Sequence, residues 1–330
     1  MSDKIHISDK LKMKKLLRTI FTTVILIGLS QLAYSQVSPD MGTTTGFVLF
    51  TGAGAFDSEG GTQVTGDIAS YTLTPIITSP GTVDGTIYTV GDGALEQPYL
   101  DLFALYNNLF GRTPDFTISV TLGGQTLTPG VHSTGSGAAA ALSGNLTFDA
   151  NGNPDAVFIV QIDGALTVGD NSNIILVDGA SACNIYWQIT GAFTLGANSV
   201  FKGTVVAGGA IELLEGSSLY GRAFTKAGAI HLHNNIVMIS EPPAAIAGAN
   251  RAICLNESTQ LGAAAVPGST YSWTSVPVGF TSTEANPIVM PLVTTTYTVV
   301  ETVTVTGCNT SNQVTVTVNP IPVTTLINHF

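Results

Sequence analysis

The sequence predicts a mainly β protein, in which a discontinuous triangular β-solenoid with one long flanking α-helix precedes a C-terminal β-sandwich. Segments between residues 185 and 239 repeat one pattern of short β-favouring runs broken by Gly and Asn. Ala192, Ala210 and Ala229 occupy equivalent places in this pattern, 18 and 19 residues apart. A repeat of this size cannot bury its own apolar side and must stack on its neighbours. Helical periodicity near residue 100 and strand-like runs after residue 243 indicate the other two parts.

Residues 1–35 have the pattern of a secretory signal peptide. Basic residues up to Arg18 precede an apolar run at 20–29, and Ala33-Tyr34-Ser35 offers a cleavage site before Gln36. The run is about half as long as a bilayer span requires, which favours a signal peptide over a retained anchor. We therefore expect a secreted or cell-surface protein with no membrane span after signal removal.

The charge balance excludes one class of partner. Removing residues 1–35 takes away six of the 11 basic and two of the 22 acidic residues, which leaves five against twenty. A surface this acidic repels phosphate backbones, so no nucleic-acid partner is expected.

Two earlier stretches, 130–149 and 158–179, show the same rhythm as the clear repeats, with three strand-like runs in each. Three runs per coil predict a triangular cross-section. A further piece at 47–57 and 62–67 has the same texture but is about sixty residues away in sequence. The solenoid is therefore predicted to be discontinuous and to extend over residues 36–240.

A helix at about 94–110 is predicted in the gap. Its apolar residues recur at spacings of three and four, and Pro98 and Gly111 fit its first turn and its end. The first strand of each coil, as at 158–160 and 185–187, is apolar on both faces of the pleat, which is typical of a strand covered on both sides. We expect the helix to lie along that face.

The second strand of each coil is predicted to present small residues to solvent. Alternation directs Leu166, Val168, Phe193 and Leu195 inward and their neighbours outward. In the same register Glu212, His231 and Asp57 replace the small outward residues of other coils. The candidate face comprises Ala138, Ala140, Ala165, Thr167, Ala192 and Thr194.

Glu241-Pro242-Pro243 is predicted to begin the second domain, at 241–330. Its strand-like runs, bounded by Gly, Pro and Asn, favour a small sandwich with Trp273 in the core. Export permits disulfides, and Cys254 and Cys308 are the candidate pair. Cys183 is interpreted as a buried small apolar residue rather than a reactive thiol.

No catalytic residue, cofactor or metal is predicted. Polysaccharide-acting β-helix enzymes need carboxylates clustered with Arg or Lys, whereas the acids here are scattered, mostly in turns. His231, His233 and Glu212 fall on one side of neighbouring coils and are the only metal-site candidates. A solvated polar patch is the favoured interpretation of these three residues.

Several strings in order across residues 45–240 resemble the secreted microbial ice-binding (antifreeze) proteins with a discontinuous β-solenoid and a flanking helix. They include the sequence after the helix from Gly111, and the runs that begin at Leu127, Asn153, Cys183 and Phe201. The resemblance implies adsorption to the surface of ice crystals, with thermal hysteresis and inhibited recrystallisation. It also implies that the flat face without the helix is the ice-binding surface.

The C-terminal region resembles the Ig-like or PKD-like repeats of exported bacterial surface proteins, through runs such as Ile253-Cys-Leu-Asn and Tyr271-Ser-Trp. Such modules space or attach other domains, which implies cell-surface attachment through this region. Two other functions stay open at this point. One is a non-catalytic adhesin or structural module, and the less favoured one is a polysaccharide-acting β-helix enzyme.

Overall fold

A computed structural model describes residues 36–77, 80–135, 137–239 and 242–320. The predicted signal peptide lies outside these residues, and so does the predicted domain boundary at 240/241. Within these ranges, no helix combines the length and apolar character that a membrane crossing requires.

The chain from Phe47 to Met238 winds into a solenoid whose strands pair in parallel and form three faces. In order along the rod, the helix-covered face contains Phe116–Thr117, Gly130–Ser133, Phe158–Ile162, Ile185–Ile189, the ends of Val200–Ala207 and Ser218–Thr225, Phe47–Thr51, Asp67–Ser70 and Ile87–Tyr88. The open face contains Ala140–Leu142, Leu166–Val168, Phe193–Leu195, Ile211–Leu213, Ile230–His233, Phe56–Glu59 and Ile76–Ile77. The third face contains Thr126–Leu127, Asn145–Asp149, Asn173–Val177, the starts of Val200–Ala207 and Ser218–Thr225, Ile236–Met238, Gln63–Thr65 and Thr82–Asp84.

The predicted discontinuity is confirmed. Phe47–Thr51 pairs with Ser218–Thr225, so the N-terminal coils stack on the last coil rather than on the next one in sequence. The chain must then return to the other end of the rod, where Phe116–Thr117 pairs with Gly130–Ser133.

The helix α1 (Glu96–Phe110) makes this return and agrees with the predicted range. A 3-10 turn, Gly93–Leu95, precedes it, and the carboxylate of Asp92 accepts a hydrogen bond from the Ala94 amide. Leu102, Leu105 and Leu109 are fully buried, in a core shared with the outer side of the helix-covered face. Two further 3-10 turns, Gly42–Gly46 and Ala182–Asn184, lie outside this connection.

Gln161 of the solenoid makes hydrogen bonds at the C-terminal end of α1. Its side-chain nitrogen donates to the carbonyl oxygens of Leu109 and Arg112, both at 2.8 Å. The Leu109 carbonyl also accepts from the Arg112 amide at 3.4 Å, so the Gln161 amide adds a second donor there and supplies one to the Arg112 carbonyl just after the helix.

A buried polar row forms the corner between the open face and the third face. Ser199 donates to the carbonyl oxygen of Gly169 at 2.8 Å, and Asn235 donates to the Ser217 hydroxyl at 2.9 Å. These three polar side chains are at most 1% exposed. Each follows a residue with positive φ, as at Asn198 with φ 55°, where Asn and Gly are tolerated best. The repeated corner marks where each open-face strand has ended and the following third-face strand begins.

The C-terminal module contains a four-stranded mixed sheet and a two-stranded sheet around one core. The larger sheet is ordered Arg251–Cys254, Asn309–Asn319, Thr295–Val303, Ser269–Val276, and the smaller pairs Thr259–Gln260 with Ile288–Val289. Trp273 is 1% exposed, which confirms its predicted core position, and its indole N–H donates to the Glu284 carbonyl at 2.9 Å.

The predicted Cys254–Cys308 pair is wrong. Cys308 bonds Cys183 of the solenoid across a Cα–Cα distance of 5.5 Å, and Cys254 is free and exposed. Cys254 pairs in register with Asn319, at the far end of the strand that starts directly after Cys308. An extended strand of this length separates the two cysteines by roughly 35 Å at about 3.3 Å per residue. Cys183 is therefore a cross-link to the module and not a buried apolar residue.

We expect Cys183→Ser with Cys308→Ser to lower the free energy of unfolding by about 2–5 kcal/mol, because the bond closes a long loop in the unfolded chain. Urea denaturation measures the loss, and Cys254→Ser is the matched control that should unfold as wild type does. Thiol titration of the denatured, unreduced protein should give one reactive thiol per chain. Three would contradict the assignment.

We expect Gln161→Leu to destabilise the fold by about 1–3 kcal/mol, because it removes the hydrogen bonds of this amide to the Leu109 and Arg112 carbonyls. Gln188 is its partner in register on the next rung, and the nitrogen of Gln188 makes no hydrogen bond within the described chain. Gln188→Leu should therefore cost clearly less in the same urea denaturation. Equal losses would show that the helix cap is not the cause.

Candidate functional site

The open face carries the exposed small residues of the solenoid. Helix α1 packs on one of the other faces, and the C-terminal module lies against the third near Leu176 and Lys202. Along the open face, Leu166, Val168, Phe193 and Leu195 point into the core, as predicted, and are at most 1% exposed. The residues between them therefore face solvent.

Rung pairing places the outward residues in straight rows. Thr167 pairs with Thr194, and Thr194 pairs with Glu212. A second row consists entirely of alanines. The hydrogen bonds between rungs align them, since each alanine carbonyl accepts one from the neighbouring rung at 2.8–2.9 Å. The members of this row are Ala165, Ala192, Ala210, Ala229 and Ala55. Parallel rungs are about 4.8 Å apart, so both rows have one regular pitch.

The predicted register of the coil at 138–142 is wrong by one residue. Ala140 pairs with Leu166 and is 4% exposed in the core, whereas Ala141 pairs with Thr167 and is exposed. Ala138 is half-buried at the corner, and Ala139 is exposed. Four consecutive alanines give no apolar and polar alternation, and a slip of one residue exchanges the two sides of a strand.

Sequence reasoning also missed Thr121. It forms a bridge with Ala141, it is exposed, and the next residue, Leu122, is fully buried. Thr121 thus extends the central row to four uncharged positions. The alternation of Val120-Thr121-Leu122 is the signal that could have revealed it.

Glycines keep the alanine edge of the face level. A Cβ placed on Gly191 would lie 2.8 Å from the Ala165 nitrogen, and one on Gly228 would lie 2.5 Å from the Ala210 nitrogen. Contacts this short with backbone cannot be relieved by moving a side chain. The rungs stack here backbone against backbone, and no side chain projects at this edge.

The other half of the open face is charged, as the predicted register of Glu212, His231 and Asp57 required. His231 Nδ1 is 2.6 Å from an Asp57 oxygen. The ring nitrogens of His233 are 3.6 Å from Glu59 and 3.8 Å from Glu212. Within the described ranges, no group of three or more His, Cys, Asp or Glu side chains is arranged to hold a metal ion.

Known proteins resemble this chain in sequence. The Ice-binding protein of Nostoc sp. (strain HG1) is 39% identical over 160 residues, which cover 48% of this chain and 58% of that protein. Ice-binding protein 1 of Shewanella frigidimarina (strain NCIMB 400) is 36% identical, and the match covers 43% of this chain but only 16% of the relative. The chain thus spans less than two thirds of either relative. An Ice-binding protein of Colwellia sp is 30% identical over 240 residues, with 68% of this chain and 92% of the relative covered.

Solved structures give the same result. The crystal structure of an ice binding protein from an Antarctic Biological Consortium aligns with a TM-score of 0.58 and 35% identity, covering 62% of this chain and 92% of that one. The family model described as Ice-binding-like matches residues 39–238, which is more than half of the chain and ends before the C-terminal module. The chain therefore belongs to the Ice-binding-like family.

Proposed function

We propose that this chain is an ice-binding protein that adsorbs to ice through the uncharged half of its open face. The central row of this half is Thr121, Ala141, Thr167 and Thr194, and the flanking row holds Ala139, Ala165 and Ala192. One observation carries the proposal: outward-facing Thr and Ala stand in register on stacked parallel rungs, and in the central row only Thr194 is half-buried rather than exposed. The relatives named above are ice-binding proteins, which supports the same function.

The chemistry of the rows suits a surface made of ordered water. Methyl groups favour water that is caged around them, and hydroxyls anchor that water by hydrogen bonds. Thr has few rotamers and Ala has none, so little side-chain entropy is lost on adsorption. A face that is already ordered can therefore hold a lattice-like water layer at low cost.

We further propose that the protein acts outside the cell and without catalysis. The N-terminal pattern supports export, and the relatives are named for binding rather than for a reaction. The same proposal includes attachment to a cell surface through the C-terminal module, which the Cys183–Cys308 bond joins to the solenoid.

Replacing Thr167 or Thr194 with Tyr should lower thermal hysteresis by about tenfold, because one large ring lifts the ice surface away from the adjoining rows and displaces their ordered water. Thr82→Tyr, at an exposed position of the third face, is the control and should keep wild-type activity. Hysteresis and recrystallisation assays measure the effect. An inactive wild-type protein would instead favour the adhesin function, and equal loss in the Thr82 variant would remove the site from the open face.

The boundary of the patch can be tested by a reciprocal pair on neighbouring rungs. We expect Thr194→Glu to reduce hysteresis strongly, because a carboxylate keeps its own hydration shell, which is costly to remove. Glu212→Thr should raise hysteresis, since it adds one uncharged rung. A loss in the Glu212 variant as large as that in the Thr194 variant would show that the charged half belongs to the binding site.

A further inference from the structure

A cleft of about 340 Å³ lies where the C-terminal module meets the third face of the solenoid. Its solenoid wall includes Pro154, Leu176 and Lys202, and its module wall includes Thr302 and Val305. Ala180 and Gly307 also line the cleft, and they lie close in sequence to Cys183 and Cys308. The disulfide bond therefore joins the two walls beside the cleft.

Lys202 stands apart from the other basic residues of the described chain. Four of the five are engaged: Arg112 donates to the Val37 carbonyl, Arg222 to the Thr45 carbonyl and Arg251 to the Gln260 carbonyl, and the Lys226 ammonium lies 3.6 Å from the Tyr106 ring centre. Among the described residues, the Lys202 ammonium has no hydrogen-bond, ion-pair or ring partner.

Lys202 has no counter-charge among the described residues of the cleft. No Asp or Glu stands in the described lining, although twenty acidic residues follow position 35 of the sequence. Burial lowers the pKa of Lys202, and desolvation is the cause. A partly desolvated ammonium without a counterion is unfavourable, and an anion bound beside it would offset that cost.

We propose that this cleft binds a small organic carboxylate, with the carboxylate paired to the Lys202 ammonium and the apolar body against Leu176 and Val305. Thr302, Thr304 and Asn309 add polar residues to the module wall, and the Asn309 amide donates one hydrogen bond to the Gly307 carbonyl at 3.3 Å. The volume is at the small end of the range for ligand sites, about 300–1,000 Å³. This site lies on another face from the rows described above and does not depend on ice binding.

The test uses sodium benzoate as the probe and benzamide as its uncharged analogue. Backbone amide shifts of ¹⁵N-labelled protein are followed during titration with each compound. We expect benzoate to cause saturable shifts at Ala180, Thr302 and Gly307, and benzamide to bind at least about tenfold more weakly, since hydrogen bonds to charged groups are the strong ones.

Matched variants separate the charge from the shape of the cleft. Lys202→Met should weaken benzoate binding by about tenfold or more, whereas Lys202→Arg, which keeps the charge, should retain it. Lys226→Met, outside the cleft, should bind as wild type does. Absence of saturable shifts, equal binding of benzamide, or undiminished binding by a folded Lys202→Met protein would each overturn the proposal.

Discussion

The hydrogen bonds between parallel rungs are the constraint on which the rest of this structure depends. A single rung has three short strands whose backbone groups cannot be satisfied within the rung, so each rung needs neighbours above and below. That pairing fixes the register, and the register turns equivalent positions into rows, as with Thr167 and Thr194. The rows of the open face therefore follow from this pairing, and the buried Leu and Phe positions and the Ser and Asn corner repeat in the same register. The stacking of the rungs therefore determines where the exposed residues lie.

The same constraint explains the helix. Because the N-terminal coils stack on the last coil, the chain has to cross the length of the rod before the middle coils can form. A helix of 15 residues spans about 22 Å at 1.5 Å per residue, or between four and five rungs. The helix also buries the apolar outer side of the helix-covered face. Asp101 ties it to the N-terminal segment by accepting hydrogen bonds from the amide and hydroxyl of Thr43, and these lower the pKa of the Asp101 carboxyl.

Local pattern decided which parts were predictable from the sequence. Where large apolar and small polar residues alternate, as in Leu166-Thr167-Val168, one strand determines its own orientation, and both the solenoid and the outward threonines follow. The four alanines at 138–141 lack that contrast, so their orientation depends on a neighbouring strand. The Cys183–Cys308 bond joins residues 125 positions apart, and its geometry arises only when the module packs on the solenoid. The cleft at Lys202 likewise forms only when the module packs on the solenoid.

Repulsion between like charges constrains the charged half of the open face. Like charges directly opposite each other on adjacent strands are destabilising, and stacked rungs would place any repeated acid in that position. Here His231 separates Glu212 from Asp57, which places the two carboxylates two rungs apart, about 9.6 Å. His233 likewise lies between Glu59 and Glu212. The interposed histidines keep the carboxylates apart along the stack, which weakens their mutual repulsion. The row from Thr121 to Thr194 carries no charged side chain, so a single sheet holds an uncharged half and a charged half.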